Sequence, residues 1–315
     1  KRPDLLGFIN GIPLLFMELK APDKKLKSAF NDNLRDYKDT ITHLMWYNGI
    51  VLLSNGQQAK AGSLTAEWEH FADWKKINDE GEVGIIDLDT LIRATCTKER
   101  LVDIVENFTV FQEVPGGVIK LVSKNHQYLG VNNAIKAVKT VKERKGRLGV
   151  FWHTQGSGKS LTMVFLAMQL RRHAELKKYK LIFLTDRTQL DSQLTTTFKN
   201  TQDETVINID SVKELREVLK KDSSDLITST IQKFQEMDED NQVLNESENI
   251  IILIDEGHRT QYGSFGLVLN TALPNAPKIA FTGTPLLKSQ KTSDEFGEYI
   301  DTYTIEQAVE DGATL

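Results

Sequence analysis

The N-terminal stretch of the chain alternates short apolar runs with turn residues. Leu5 to Ile9 and Leu14 to Lys20 flank Asn10-Gly11, a strong hairpin signal. Lys25 to Lys38 then places Leu26, Phe30, Leu34 and Tyr37 at helical spacing, and a short strand over Ile50 to Ser54 ends at Asn55-Gly56. Residues 64–125 are less regular. Trp68, Phe71 and Trp74 suggest an amphipathic piece, and Leu91 to Phe111 reads as a helix through Leu91, Leu101, Ile104, Val105 and Phe108. This region is expected to connect two domains. Beyond it the pattern changes. A helix over Leu129 to Arg144 is followed by apolar runs at Leu148–Trp152, Leu181–Thr185, Leu226–Thr230, Ile250–Asp255 and Lys278–Phe281, separated by helical stretches. Strands alternating with helices predict a parallel, doubly wound α/β sheet. The runs lack polar alternation, as strands buried on both faces do.

Composition narrows the class. With 315 residues, 40% hydrophobic and 26% charged, the chain is expected to be soluble and to form two domains. No apolar run reaches the ~18 residues of a membrane span. The opening Lys1-Arg2-Pro3-Asp4 has no signal-peptide core and no Met, so the sequence reads as an excerpt of a longer protein. The single cysteine, Cys96, excludes an intrachain disulfide and a cysteine zinc site, which suits a reducing cytoplasmic setting. The net charge of −5 counts mildly against a DNA-binding protein, although affinity depends on a local positive track. The basic run Lys136, Lys139, Lys142, Arg144, Lys145, Arg147 is expected to be a solvated helix face.

Three blocks carry chemistry. His153-Thr154-Gln155-Gly156-Ser157-Gly158-Lys159-Ser160 follows the strand Val150–Trp152 and precedes a helix over Leu161–Arg172, the setting a phosphate loop demands. Backbone N–H groups of Gln155, Gly156, Ser157 and Gly158 would cradle phosphate oxygens. The helix N-terminus favours an anion. Lys159 would meet the β/γ-phosphates and Ser160 would face Mg2+. His153 stands where the first glycine of G-x-x-x-x-G-K-[ST] belongs. Second, the strand Ile250–Ile254 delivers Asp255-Glu256 at its end. Asp255 can hold Mg2+ through water, and Glu256 can orient or deprotonate the attacking water. Third, Thr282-Gly283-Thr284-Pro285 ends another strand.

Together these blocks resemble superfamily 2 helicases. Gln155–Ser160 looks like motif I, Asp255-Glu256-Gly257-His258 like the DEAD/DEAH motif II with Gly257 for Ala, and Thr282–Pro285 like motif III. The resemblance implies that His258, Thr282 and Thr284 link hydrolysis to DNA movement. It places Arg187 and Gln189 of Leu184–Asp191, and Thr230 of Thr228–Gln232, against nucleic acid. Gln127 occupies the position of a glutamine that would read adenine. His258–Gly263 and the Asp186-Arg187 pair are similar to the R (motor) subunit of type I restriction endonucleases.

That subunit carries a nuclease ahead of its motor, which gives Pro3-Asp4 and Glu18-Leu19-Lys20 the look of a PD-(D/E)xK site. Glu18 and Lys20 share one strand face, and the Asn10-Gly11 hairpin can bring Asp4 beside them. Asp4 and Glu18 would hold Mg2+, and Lys20 would stabilise developing charge. The resemblance also implies a supporting Q-x-x-x-Y motif. Asn33 and Tyr37 occupy it here, with Asn for Gln.

The combined expectation is a PD-(D/E)xK endonuclease domain plus connector over 1–122, lacking its earliest helix, and a first RecA-like ATPase domain over 123–315. The resemblance implies an ATP- and Mg2+-dependent translocase that cuts double-stranded DNA. Its partners would be modification (methyltransferase) and specificity subunits, with no membrane involved. A second motor domain would lie outside these residues, leaving the fragment a weak ATPase. The alternatives are a remodeller or repair helicase with a non-cutting N-terminal domain, an ATP-driven conformational switch and, more remotely, a P-loop kinase.

Overall fold

Asn10 and Gly11 both adopt positive φ, 51° and 80°, and the chain reverses there within two residues. Such a turn matches the twist of the strands it joins. The computed structural model describes residues 2–78, 84–185, 206–237, 242–255, 264–284 and 296–312. By internal contacts the chain divides into residues 1–129 and 130–315.

In the first unit, the reversal joins strands β1 (Leu5–Ile9) and β2 (Ile12–Leu19). A π-helical turn over Ala29–Leu34 runs into α1 (Arg35–Thr40) and α2 (Thr42–Met45), and the chain re-enters the sheet as β3 (Ile50–Ser54). β3 is parallel to β2; β4 (Ala59–Gly62) and β5 (Ala72–Asp73) extend the sheet antiparallel, in the order β1-β2-β3-β4-β5. The helical segment buries Leu26, Phe30, Leu34 and Tyr37 against Phe16, Val51 and Leu53 of one sheet face. These are the four residues whose spacing predicts a helix over 25–38. The observed helix starts later, at Lys27, and passes through a π turn over Ala29–Leu34, so its residues are not evenly spaced.

The single helix expected over Leu91–Phe111 is two. α3 (Leu88–Thr95) is capped by Asp87, and α4 (Lys98–Asn107) by Thr97, whose hydroxyl accepts the Arg100 N–H. A threonine cap in mid-pattern supplies the stop and restart. Phe108 then leads into β6 (Thr109–Val114), which pairs with β7 (Gly117–Val122) as a separate hairpin. The division between the two units falls within α5 (Asn125–Lys139).

The second unit is a seven-stranded sheet in which every pairing is parallel, as the apolar runs predict. Its strands are β8 (Arg147–His153), β9 (Lys180–Thr185), β10 (Val206–Asn208), β11 (Leu226–Thr230), β12 (Ile250–Asp255), β13 (Lys278–Thr282) and β14 (Tyr299–Tyr303). They lie in the order β10-β11-β9-β12-β13-β8-β14. β9, β11, β12 and β13 are buried at every position. The connecting helices are α6 (Lys159–Arg172), α7 (Val212–Lys220), α8 (Ile231–Gln235), α9 (Ser264–Ala272) and α10 (Ile305–Glu310). Ile182, Ile227, Ile252 and Ala280 form one core with Leu215, Phe234, Phe265 and Leu269. The short β10 and the edge strand β14 do not stand out in the apolar pattern.

Candidate functional site

Because all seven strands run the same way, their C-terminal ends share one edge, where open α/β sheets bind ligands. β8 ends at His153, β13 at Thr282 and β12 at Asp255, and these three strands are neighbours. Asp255 is in register with Phe281, and Phe281 with Phe151, so the acidic residue lies two strands from the phosphate loop, roughly 10 Å across. Asp255 is buried.

The loop after β8 has the conformation its glycines permit. Gly156 and Gly158 sit at φ +83° and +89°, where a Cβ is disfavoured. Gly158 is the N-cap of α6 and brings no side chain to the helix's first amides. The first turn holds no acidic residue. A helix start with no side-chain cap and no acidic residue, facing a glycine turn, fits a phosphate group. Lys159 Nζ donates to the His153 carbonyl at 3.3 Å, folding its ammonium back over the loop. Gly283 closes the other side: a Cβ there would stand 3.4 Å from Lys159 Nζ and 3.5 Å from the Gln155 nitrogen. Ser157 is buried and Ser160 half-buried. In the turn after β13, Thr282 Oγ1 accepts the Thr284 N–H at 3.3 Å, so these two residues act as one hydrogen-bonded unit.

His153, in place of a glycine, is fully buried. Its Nε2 lies 2.6 Å from Asp301 Oδ2 on the neighbouring strand β14, and its ring packs edge-on against Phe151 and Tyr303. Sequence reasoning missed Asp301. The signal was present in Tyr299-Ile300-Asp301-Thr302-Tyr303, but the strand is short and amphipathic and names no chemistry by itself.

The residues expected from the sequence to contact DNA are placed in part. Thr230, at the end of β11, is in register with Thr185 of β9 on the same C-terminal edge. Glu256, His258, Arg187 and Gln189 lie outside the described residues. Gln127 belongs to the first unit, where its Oε1 accepts the Lys124 N–H at 2.9 Å at the start of α5.

The second cluster lies at the end of β2. Leu5 pairs with Met17, which sets Asp4 opposite Glu18 as the hairpin expectation requires. Asp4 Oδ2 accepts the Leu19 N–H at 2.8 Å. Glu18 Oε1 accepts from Lys20 Nζ at 2.9 Å, on the shared strand face. Glu18 is 2% exposed, and its Oε2 is buried with no partner among the described residues. Burial pushes this carboxyl above its ordinary value; the bond and charge of Lys20 pull it down, and the Asp4 charge adds to the rise. A buried carboxylate oxygen lacking a donor, beside a second carboxylate, fits a cation ligand. The grouping is a pair: no cluster of three or more His, Cys, Asp or Glu able to hold a metal occurs among the described residues.

Tyr37 supports this cluster from α1. Its ring meets Phe16 edge-on at 5.7 Å, and its hydroxyl donates to the Arg2 carbonyl at 2.8 Å, two residues before Asp4. Asn33, in the π turn, makes no side-chain hydrogen bond to a described residue.

Comparison with known proteins matches two family descriptions. Residues 126–315 match the SWI2/SNF2 ATPase model, and residues 1–70 match the type I restriction enzyme R protein N terminus. The chain is 38% identical to the type I restriction enzyme HindI endonuclease subunit of Haemophilus influenzae, over 99% of this chain and 32% of that one. It is 28% identical to the SsaAORF53P endonuclease subunit of Staphylococcus saprophyticus, over 100% of this chain and 34% of that one. It thus spans about a third of the length of these relatives. Among solved structures it is similar to the ATP-dependent type ISP restriction-modification enzyme LlaBIII bound to DNA. That match has 19% identity and a TM-score of 0.45, covering 61% of this chain and 16% of the other.

Proposed function

We propose that this chain, which belongs to the SWI2/SNF2 ATPase family and to the R subunits of type I restriction enzymes, forms the nuclease and first motor portion of an ATP-driven, DNA-cutting machine. The intact protein would hydrolyse ATP to translocate double-stranded DNA and cut it afterwards. It would act in the cytoplasm with modification and specificity subunits of the same system. The motor portion is the RecA-like unit, read from sequence as 123–315 and compact over 130–315; the PD-(D/E)xK portion precedes it.

The observation that carries this reading is the convergence of Lys159, the Thr282–Thr284 turn and Asp255 on one edge of the parallel sheet. ATP would lie there with its phosphates on Gln155–Ser160, held by backbone amides and by Lys159. Ser160 and Asp255 would hold Mg2+, which when bound offsets charge on the phosphates. Glu256, adjacent in sequence to Asp255, would orient the attacking water. The Thr282–Thr284 turn faces the loop at Gly283, so a shift at the phosphates would be felt at the end of β13. With His258, it is the route by which hydrolysis would reach the DNA-contacting residues Arg187, Gln189 and Thr230. Gln127 would meet adenine. In the nuclease portion, Asp4 and Glu18 would hold Mg2+, and Lys20 would meet the scissile phosphate. Asn33 and Tyr37 would position the Asp4 segment.

The test is a pair of assays on the intact subunit. Lys159→Ala is expected to abolish DNA-stimulated phosphate release. Glu18→Ala is expected to abolish Mg2+-dependent plasmid cutting while phosphate release continues. Cutting that survives Glu18→Ala removes the nuclease assignment, and phosphate release that survives Lys159→Ala removes the motor.

A further inference from the structure

The edge of the motor sheet opposite the phosphate loop holds a concavity of about 720 Å3 in which five cations face one carboxylate: Lys142, Lys145, Arg147, Lys178 and Lys278 against Glu248. The sheet order brings them together. Arg147 and Lys278 begin the adjacent strands β8 and β13; Lys178 precedes β9 by two residues, and Glu248 precedes β12 by two. Lys142 and Lys145 come from the turn between α5 and β8. Four consecutive strand starts therefore line one side, a span of about 14 Å at normal strand spacing. The basic run that the sequence assigns to a solvated helix face is in fact split: α5 ends at Lys139, and three of the run's charges turn into this concavity.

Its charges are available. Lys142, Lys145 and Arg147 are exposed and make no ion pair or side-chain hydrogen bond to a described residue. Lys178 is exposed too, with its ammonium 5.7 Å from the Tyr179 ring. Only Lys278 is buried, donating to Asn270 Oδ1, so it adds fixed field rather than a mobile contact. A local excess of cations in a chain of net charge −5 favours an anion. None of the lining residues is an exposed large hydrophobic group, so an acidic protein segment would find no apolar anchor here. A sugar–phosphate backbone needs none. Its dense row of charges addresses several cations at once.

We propose that this pocket binds the phosphodiester backbone of double-stranded DNA, as a second contact separate from the motor's C-terminal edge. The proposal rests on the DNA-motor reading. It gives the motor a holding point that is independent of nucleotide, because the two sites occupy opposite ends of the same strands. The contact is expected to read no sequence, because phosphate contacts carry no base information.

The experiment is binding of a fluorescent duplex to this chain, by anisotropy, across a salt series. The comparison is between wild type and Lys142→Gln/Lys145→Gln/Arg147→Gln/Lys178→Gln. Each lost phosphate contact lowers the slope of log affinity against log salt by about 0.9. The variant is expected to lose about 2–4 from the slope and at least tenfold in low-salt affinity, with binding of a fluorescent ATP analogue unchanged. Lys142→Arg/Lys145→Arg/Lys178→Arg is expected to bind DNA as wild type does. Loss of binding in this charge-retaining variant would overturn the charge argument. If the glutamine variant matches wild-type DNA binding, the pocket proposal falls and the motor reading stands. If wild type itself binds no duplex at any salt, both fall.

Discussion

The imidazole of His153 lies 2.6 Å from the carboxylate of Asp301, joining the last residue of the phosphate-loop strand to its neighbour β14. Both residues are buried. The pair explains how the loop tolerates a histidine where the phosphate-loop pattern has glycine. The side chain turns toward Asp301 of β14, and the positive-φ positions of the turn are taken by Gly156 and Gly158. Asp301→Ala removes the acceptor from a fully buried ring. A buried polar group deprived of its partner costs about 1–3 kcal/mol. A matching loss is expected in urea unfolding, together with weaker binding of nucleotide. An unchanged unfolding midpoint would show that the pair does not hold β14 to β8.

Burial of Glu18 costs stability once its carboxyl is charged. Its carboxyl keeps its proton to higher pH in the folded chain than the ordinary value of 4.5. A group raised in this way contributes stability below the unfolded pKa and loses it as pH climbs through the folded one. Wild type is therefore expected to lose stability relative to Glu18→Gln as pH rises from about 4.5 toward neutrality. At neutral pH, millimolar Mg2+ should raise the melting temperature of wild type and leave Glu18→Gln unmoved, because a ligand stabilises only the state that binds it. A parallel pH profile for the two proteins would contradict the burial cost.

Tyr37 is expected to act on the Asp4 segment and not on the motor. Tyr37→Phe keeps the ring against Phe16 and deletes the bond to the Arg2 carbonyl. A loss of about 0.5–1.5 kcal/mol is expected. Plasmid cutting by the intact subunit should slow severalfold while DNA-stimulated phosphate release stays constant. If both rates fall together, Tyr37 is a general fold residue.

Much of this was legible in the sequence because the signals were local. A glycine turn after an apolar strand has few other uses, and Asn10-Gly11 between two apolar runs gives a hairpin that sets Asp4 opposite Glu18. What escaped reading depends on distant partners or on interrupted periodicity. Asp301 gains meaning only once β14 is known to lie beside β8, 148 residues from His153 in sequence. Thr97 halts a helix whose apolar spacing continues through it, because a side-chain cap outweighs a continuing pattern. Lys142, Lys145 and Arg147 look like one face of a helix until the helix ends at Lys139.

Gly158 tests the loop's geometry independently of its charge. At φ +89° an alanine is strained by about 1–2 kcal/mol. Gly158→Ala is expected to weaken binding of a fluorescent ATP analogue about tenfold, with little change in duplex binding. Equal loss of both ligands would indicate that the substitution unfolds the unit.

Lys159 and the neighbouring strand ends are proposed to form a triphosphate site. Equilibrium titration of this chain with a fluorescent ATP analogue in Mg2+, for wild type and Lys159→Ala, addresses it most directly. A charged hydrogen bond of this kind is worth about 1.5–3 kcal/mol, so Lys159→Ala should raise Kd by roughly 10- to 100-fold. Indistinguishable titrations for the two proteins would contradict the account.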